Sequence, residues 1–201
     1  LSFSVPTGNF GDAYAGYISK RMGLPINKII VATNKNDILD RVFKTGVYKS
    51  DNVSKTLSPS MDIQVASNFE RLLFDLLNND TKEVRKLMNN LSNKGQFNLK
   101  KRILTRISKD FDSGAVTDND TIATINQFYN EREIVLCPHS AIGVHVAKEF
   151  IDTGETVVSL GTAHPAKFKE TVESALEVKI PIPPALESIM VKKESLRVIP
   201  P

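Results

Sequence analysis

Short apolar runs alternate along this chain with longer stretches in which apolar residues return every three or four positions. Runs of the first kind suit strands buried on both faces, and stretches of the second kind suit helices that bury one stripe. Residues 3–5 are a short run, and Pro6-Thr7-Gly8-Asn9-Phe10-Gly11 after them predicts a turn. Asp12 then opens a helix over residues 13–22, closed by Gly23 with Pro25 soon after. Ile29-Ile30-Val31-Ala32-Thr33 predicts a strand covered on both sides, and Asn36-Asp37 begin a helix that runs through Phe43 and ends at Gly46. The order strand, helix, strand, helix argues for an α/β fold with a parallel sheet flanked by helices.

Turn signals dominate residues 47–67, at Ser50-Asp51-Asn52 and Ser58-Pro59-Ser60, before apolar positions 69, 72, 73, 76 and 77 make a helical stripe. Residues 78–112 are rich in Asn, Ser and Lys, yet Val84, Leu87, Met88 and Leu91 keep helical spacing. That stretch reads as a peripheral helical insertion with a solvated basic face. Thr117 is expected to cap a helix carrying Ile122, Ile125, Phe128 and Tyr129, with Asp120 completing the cap. Ile134-Val135-Leu136 reads as a buried strand, Pro138-His139 as a helix start and residues 156–160 as a further strand. Gly161-Thr162-Ala163-His164-Pro165 then turns into a helix ending near Leu176. The expected organisation is one α/β unit over residues 1–179 and an extended Pro-rich tail over 180–201, with no repeat of fixed period.

With 201 residues, 41% of them apolar, the chain has the size of one globular domain or part of a larger one. Its apolar runs fall short of the roughly 18 residues that cross a bilayer, so no membrane span is expected. Lys and Arg exceed Asp and Glu by 26 to 23, and the two signs are interspersed. Neither that balance nor the local Lys100-Lys101-Arg102 run implies nucleic acid, and the absence of Trp leaves little for stacking bases. Cys137, the single cysteine, excludes an internal disulfide and a multi-cysteine zinc site, which makes a reducing, cytoplasmic compartment the expectation. The chain opens without an initiator Met or signal-peptide features, and Leu1 reads as the interior of a strand, so a fragment that begins inside a fold is expected.

Candidate chemistry sits at two strand-to-helix turns. Thr7-Gly8-Asn9-Phe10-Gly11-Asp12 can aim several backbone N–H groups and a helix N-terminus at one anion, or serve only as a structural turn. Its spacing matches neither dinucleotide nor nucleoside-triphosphate fingerprints, and Asp12 is expected to face away or to cap the helix. Thr162, in the second turn, offers a hydroxyl suited to a ring nitrogen or to a helix cap, and His164 and Lys167 are candidates for a second anion. In a parallel sheet such turns share a ligand at the carboxyl ends of the strands. Asn34 and the Ser58–Asp62 loop are further candidates for a pocket wall. Cys137 and His139 are not expected to face each other as a dyad, and His139 and His145 are spaced wrongly for a metal pair.

Ser4-Val5-Pro6-Thr7-Gly8-Asn9-Phe10-Gly11-Asp12, followed by Ala15-Gly16, resembles the phosphate loop of the threonine synthase family. The resemblance continues through Ala32-Thr33-Asn34-Lys35-Asn36-Asp37, Leu57-Ser58-Pro59-Ser60-Met61-Asp62-Ile63, Ser67-Asn68-Phe69-Glu70-Arg71 and Pro138-His139-Ser140-Ala141-Ile142-Gly143. It closes at Leu160-Gly161-Thr162-Ala163-His164-Pro165-Ala166-Lys167-Phe168. It implies a pyridoxal-phosphate enzyme of fold type II, the tryptophan-synthase-β-like fold. Such an enzyme turns O-phospho-L-homoserine and water into L-threonine and phosphate, the last step of threonine biosynthesis. By that resemblance Gly8, Asn9, Phe10 and Gly11, with Asp12 at the edge, hold the cofactor phosphate, and Thr162 faces the pyridine nitrogen. His164, Lys167 and Asn34 are the candidates for substrate contact, and no metal is implied.

One family feature is missing. The Schiff-base lysine belongs to a Phe-Lys-Asp segment ahead of the phosphate loop, and here Phe168-Lys169-Glu170 falls in the C-terminal helix instead. No catalytic residue is therefore expected in this chain, whose lysine would lie upstream, and the chain alone is expected to be inactive. Two alternatives stand beside this reading: a non-catalytic module binding pyridoxal phosphate or phosphate, and a threonine-synthase-like phospho-lyase with another substrate. The sequence points to no oligomeric state.

Overall fold

In the computed structural model, which describes residues 1–151 and 154–199, β1 (Ser2–Pro6) leads through the glycine turn into α1 (Gly11–Arg21). Next come β2 (Ile29–Thr33) and α2 (Ile38–Thr45), which stops at Gly46, where φ of 80° takes the chain out of the helix. β3 (Val47–Lys49), α3 (Phe69–Leu76), α4 (Thr81–Lys94) and β4 (Gln96–Asn98) follow, and β3 pairs with β4 antiparallel. α5 (Lys101–Asp110) runs straight into β5 (Phe111–Ala115), and α6 (Asp118–Arg132) and α7 (Pro138–Ile151) come after it. β6 (Val157–Ser159), a 3-10 turn at Pro165–Phe168, α8 (Lys169–Leu176) and α9 (Pro184–Met190) complete the order.

The main sheet has four strands in the order β5-β2-β1-β6, and every pairing in it is parallel. Every residue of β2 is buried. The period-two alternation of a strand explains how. Ile29 and Val31 join a large cluster with Ala13, Val42, Leu73 and Phe111, while Ile30 and Ala32 face Ile142 and Val146 of α7. The sheet is thus covered on both faces, as parallel sheets are. α7 lies close on its face because residue 143 is glycine: a Cβ there would stand 2.9 Å from both Pro6 Cγ and Ser159 Oγ. A third cluster, built on Ile125, Ala141, Val172 and Leu176, ties α6, α7 and α8 together.

Several expected elements differ. β5 carries the sequence Phe-Asp-Ser-Gly-Ala, which has no strand-like run, and its strand form comes from its parallel register with β2. Ile134-Val135-Leu136 forms no strand. Ile134 is exposed, and Val135 and Leu136 pack as loop residues against the Ile125 cluster. An apolar triplet of that length fits either state, and among the described residues it joins neither sheet. The 78–112 stretch is helical but not peripheral: Leu87, Phe97, Leu99, Ile103 and Ile107 enter the largest cluster, and residues 111–112 begin β5. Its polar composition belongs to outward faces, and a narrow inward stripe anchors it. The tail is not wholly extended, since α9 forms with Pro184 in its first turn, where a missing N–H is no loss. Leu1 lies outside β1 and is half exposed.

Candidate functional site

The carboxyl ends of β1 and β6 open on a cavity of about 340 Å³ whose lining includes Gly8, Asn9, Asp12, Ser60, His139 and Thr162. One wall is the turn after β1. Thr7 is locked in place: its N–H donates to Ala32 O at 2.8 Å and its hydroxyl to Val5 O at 2.6 Å. Phe10 takes a left-handed φ of 72°, a costly conformation for a residue with a side chain. Its fully buried ring holds it there, packed at 5.6 Å from Phe111, 5.7 Å from Phe69 and 6.1 Å from Phe43. Asn68 pins the turn from outside, its N–H and side-chain amide both donating to Asn9 O at 3.0 and 3.3 Å. Asn9 Oδ1 accepts from Gly11 N–H at 3.2 Å.

These contacts leave the N–H groups of Gly8, Asn9, Phe10, Asp12 and Ala13 without a partner among the described residues. They gather at the positive end of α1, which is the construction of an anion cradle. Asp12 departs from expectation, because it neither caps α1 nor turns away but lines the cavity.

The opposite wall approaches closely only because residue 8 is glycine: a Cβ there would stand 2.9 Å from Ser60 O and 3.3 Å from Met61 Cα. A buried polar network fixes that wall. Asp62 Oδ1 accepts from Asn34 Nδ2 at 2.8 Å, Asn36 Nδ2 at 3.0 Å and Thr56 Oγ1 at 2.6 Å, while its Oδ2 accepts from Thr56 N–H at 2.9 Å. Asn34 Nδ2 also lies 2.9 Å from Ser58 Oγ, and Asn34 Oδ1 accepts from Asn36 N–H at 2.8 Å. Ser60 N–H donates to His139 Nε2 at 3.3 Å, which leaves the ring proton of neutral His139 on Nδ1. His139 is buried, with its ring centroid 4.5 Å from that of Phe168, and its Nδ1 completes no hydrogen bond among the described residues.

The third side is the turn after β6. Thr162 N–H donates to Ser140 Oγ at 3.1 Å, and Thr162 Oγ1 lies 3.2 Å from Ser140 Oγ and 3.5 Å from Cys137 Sγ. Cys137 stands at the N-cap of α7. Its carbonyl accepts from Ala141 N–H at 3.0 Å, and its sulfur accepts from Ser140 N–H at 3.4 Å, as a capping oxygen would. Burial opposes ionisation of the Cys137 thiol, but the nearby His139 ring and hydrogen bonding from Ser140, Thr162 and the Ser140 amide outweigh it, and the thiol is lowered to about 6.

Gly8, Asn9, Asp12, Thr162 and Lys167 all line the cavity. Phe10 offers only its backbone, since its ring belongs to the core, and Gly11 starts α1 just behind the lining. Asn34 does not reach the cavity, because it is 1% exposed and its amide is engaged in the Asp62 network. His164 is exposed beside the cavity, where its Nδ1 accepts from Ala166 N–H at 3.1 Å and caps the 3-10 turn. Among the described residues no hydrogen bond joins Cys137 to His139, whose Nε2 faces Ser60 N–H. His145 turns elsewhere, its Nδ1 lying 3.0 Å from Thr124 Oγ1, and the described residues hold no cluster of His, Cys, Asp and Glu fit for a metal. Sequence reasoning missed His139 as a wall residue. The available signal was its place in the first turn of a helix that starts at the sheet's carboxyl edge. A larger hollow of about 540 Å³ lies between α1, α3 and α4, lined by Tyr14, Arg71, Phe74, Arg85 and Met88 among others.

A family model described as threonine synthase, C-terminal, matches residues 140–201. The chain is 46% identical to a threonine synthase of Pseudomonas aeruginosa over 100% of its own length and 43% of that protein. Against the Saccharomyces cerevisiae threonine synthase the identity is 42%, over 99% of the chain and 44% of the relative. Among solved structures, a PLP-bound threonine synthase from Brucella melitensis matches with a TM-score of 0.95 at 48% identity, covering 99% of this chain and 43% of that one. The yeast threonine synthase structure gives 0.90 at 40% identity, covering 96% and 43%. The chain spans less than half the length of these relatives.

Proposed function

From the premise that this chain belongs to the threonine synthase family, corresponding to its C-terminal part, we propose that it supplies the cofactor cradle of an enzyme making L-threonine and phosphate from O-phospho-L-homoserine and water, with pyridoxal phosphate as cofactor. The observation that carries this reading is the set of N–H groups at Gly8, Asn9 and Phe10 that have no partner among the described residues, beside a cavity that Gly8, Asn9 and Thr162 line together. A phosphate at one end and a pyridine nitrogen at the other is the pattern of polar groups that such a cavity accepts.

In this reading Gly8, Asn9, Phe10 and Gly11 hold the cofactor phosphate, with Asp12 at its edge. Thr162 meets the ring nitrogen with an uncharged hydroxyl, whereas a carboxylate there would hold the nitrogen protonated. When bound, the cofactor supplies an electron sink for carbanions at Cα and then Cβ of the substrate. His139 and Phe168 close the cavity and exclude water, and Lys167 presents a cation for the substrate phosphate at its rim. Asn34 and His164 act through the loops they hold in place. The lysine that anchors the cofactor lies outside this chain, so the chain alone has no turnover.

Residues 1–179 are the cofactor-binding α/β part in this scheme, with 78–112 as its helical elaboration and 180–201 as a tail. No helix among the described residues is long and apolar enough to cross a membrane, and we assign the enzyme to the cytoplasm on its single buried thiol. The test is the full-length protein loaded with pyridoxal phosphate and given O-phospho-L-homoserine. Threonine and phosphate should form in equal amounts. Cofactor binding without threonine formation would overturn the proposed reaction.

A further inference from the structure

Cys137 has no part in the scheme above, yet it is 1% exposed and its sulfur faces the Thr162 hydroxyl. Ser140 is buried beside it with its hydroxyl 3.2 Å from the sulfur, and the neighbouring His139 Nδ1 is a buried polar atom with no completed bond on the cavity wall. Resting on the reading that Thr162 meets the cofactor ring, we propose that Cys137 is a positioning residue whose charge state decides whether the Thr162 hydroxyl donates or accepts at the ring nitrogen.

Proton counting gives the argument. Ser140 Oγ already accepts from Thr162 N–H at 3.1 Å, and Cys137 Sγ already accepts from Ser140 N–H at 3.4 Å. As a thiol, Cys137 has a proton to give. It passes to Thr162 directly or by way of Ser140, so Thr162 accepts on the protein side and points its own proton into the cavity. As a thiolate, Cys137 only accepts. It draws in the protons of Ser140 and Thr162, and Thr162 turns a lone pair toward the cavity, where it suits a protonated ring nitrogen. Ionisation releases one proton to solvent, and no covalent bond is made or broken elsewhere.

The site favours this switch on physical grounds. The sulfur caps α7, whose positive end stabilises an anion, and the hydrogen bonds to it are of the kind that lower a buried thiol. The titratable group that acts on it is His139 on α7 itself, while Lys167 on the 3-10 turn and Asp12 on α1 line the cavity that Thr162 borders. α6 and α8 present mainly apolar side chains here, Ile125 and Val172, with Tyr129 at the margin of their cluster.

The experiment uses the full-length protein with pyridoxal phosphate bound. The visible band of the cofactor and the ultraviolet absorbance of thiolate are followed together as pH is varied. The band should shift in a one-proton transition whose midpoint coincides with that of the thiolate signal, a coincidence that needs no variant to be seen. Cys137→Ser and Cys137→Ala should each lose the transition and leave a band independent of pH, although serine keeps a hydroxyl in place. Persistence of the transition in both variants, or its absence in the unmodified protein, would overturn the proposal. Thr162→Ala separates the two levels of the argument. If it alters the band while the Cys137 variants keep the transition, only the role of Cys137 falls. If it leaves the band unaltered at every pH, Thr162 does not face the ring and both readings fall.

Discussion

The turn at Gly8–Asp12 and the turn at Gly161–Lys167 border the same cavity but are held by different means. The first is set by the core. Phe10 is fully buried, β2 beside it has no exposed residue, and Asn68 fixes the backbone from outside. The second follows β6, which has three residues and none fully buried, and Gly161 has no neighbour within 4 Å of where a Cβ would lie. What holds it is a few polar contacts: Leu160 N–H to Ser4 O at 2.9 Å and the Thr162 bonds to Ser140 and Cys137. Packing sets the position of the N–H cradle, whereas side-chain hydrogen bonds set the turn at the other end. The cradle end is therefore rigid at the expense of tolerance, and the other end can be tuned without disturbing the fold.

The largest expected effect tests the rigid side. Phe10→Ala removes a ring packed on three others and should destabilise by about 3–5 kcal/mol. Phe168→Ala removes a half-buried ring and should lose clearly less. Thermal denaturation of the full-length protein reads both, and equal losses would erase the contrast between the walls.

A second pair of variants tests close approach. Gly8→Ala places a methyl 2.9 Å from Ser60 O, a backbone atom that the Asp62 network holds in place. Overpacking of that kind costs about 1–3 kcal/mol. At about 1.4 kcal/mol per decade it should weaken pyridoxal-phosphate binding roughly 5- to 150-fold. Gly161→Ala meets open space, and its effect should stay within about 0.5 kcal/mol. Fluorescence titration with the cofactor measures both.

The same contrast explains what could be read from the sequence. β1, β2, α1, α2 and the caps at Gly46 and Thr117 were legible because local pattern and tertiary packing agree there. β5 was not, because Phe-Asp-Ser-Gly-Ala becomes a strand only through its register with β2. The unpartnered cradle could be anticipated from glycine placement at a strand-to-helix turn. The Asp62 network and the meeting of Cys137 with Thr162 could not, since they join residues 28 and 25 positions apart through the fold alone. For the same reason Asn34 looked like a pocket residue: a polar residue after a buried strand can face ligand or scaffold, and only the network decides.

The tunable side also has a pH signature. Cys137 ionises more readily in the fold, at about 6 against an ordinary value of 9.0. A group depressed in this way stabilises the folded state fully above its unfolded value and loses that stabilisation as pH falls through the folded one. Stability should therefore rise from pH 6 toward pH 9, with one proton contributing at most about 1.4 kcal/mol per pH unit. Denaturant midpoints across that window should show the rise in the unmodified protein and a flatter profile in Cys137→Ser.

The smallest effect is expected at His164, and it discriminates most finely between a residue that holds the turn and one that meets substrate. Its Nδ1 accepts from Ala166 N–H at 3.1 Å at the start of the 3-10 turn that carries Lys167 and Phe168 into the cavity wall. Removing such a cap costs about 0.5–1 kcal/mol. Asparagine can accept the same bond from a similar distance, so His164→Asn should recover most of what His164→Ala loses, in denaturant midpoint and in KM together. A substrate contact behaves differently, because asparagine cannot carry the imidazole's charge. Loss of threonine formation in both variants, with denaturant midpoints unchanged, would move His164 from the scaffold of the turn into the substrate site.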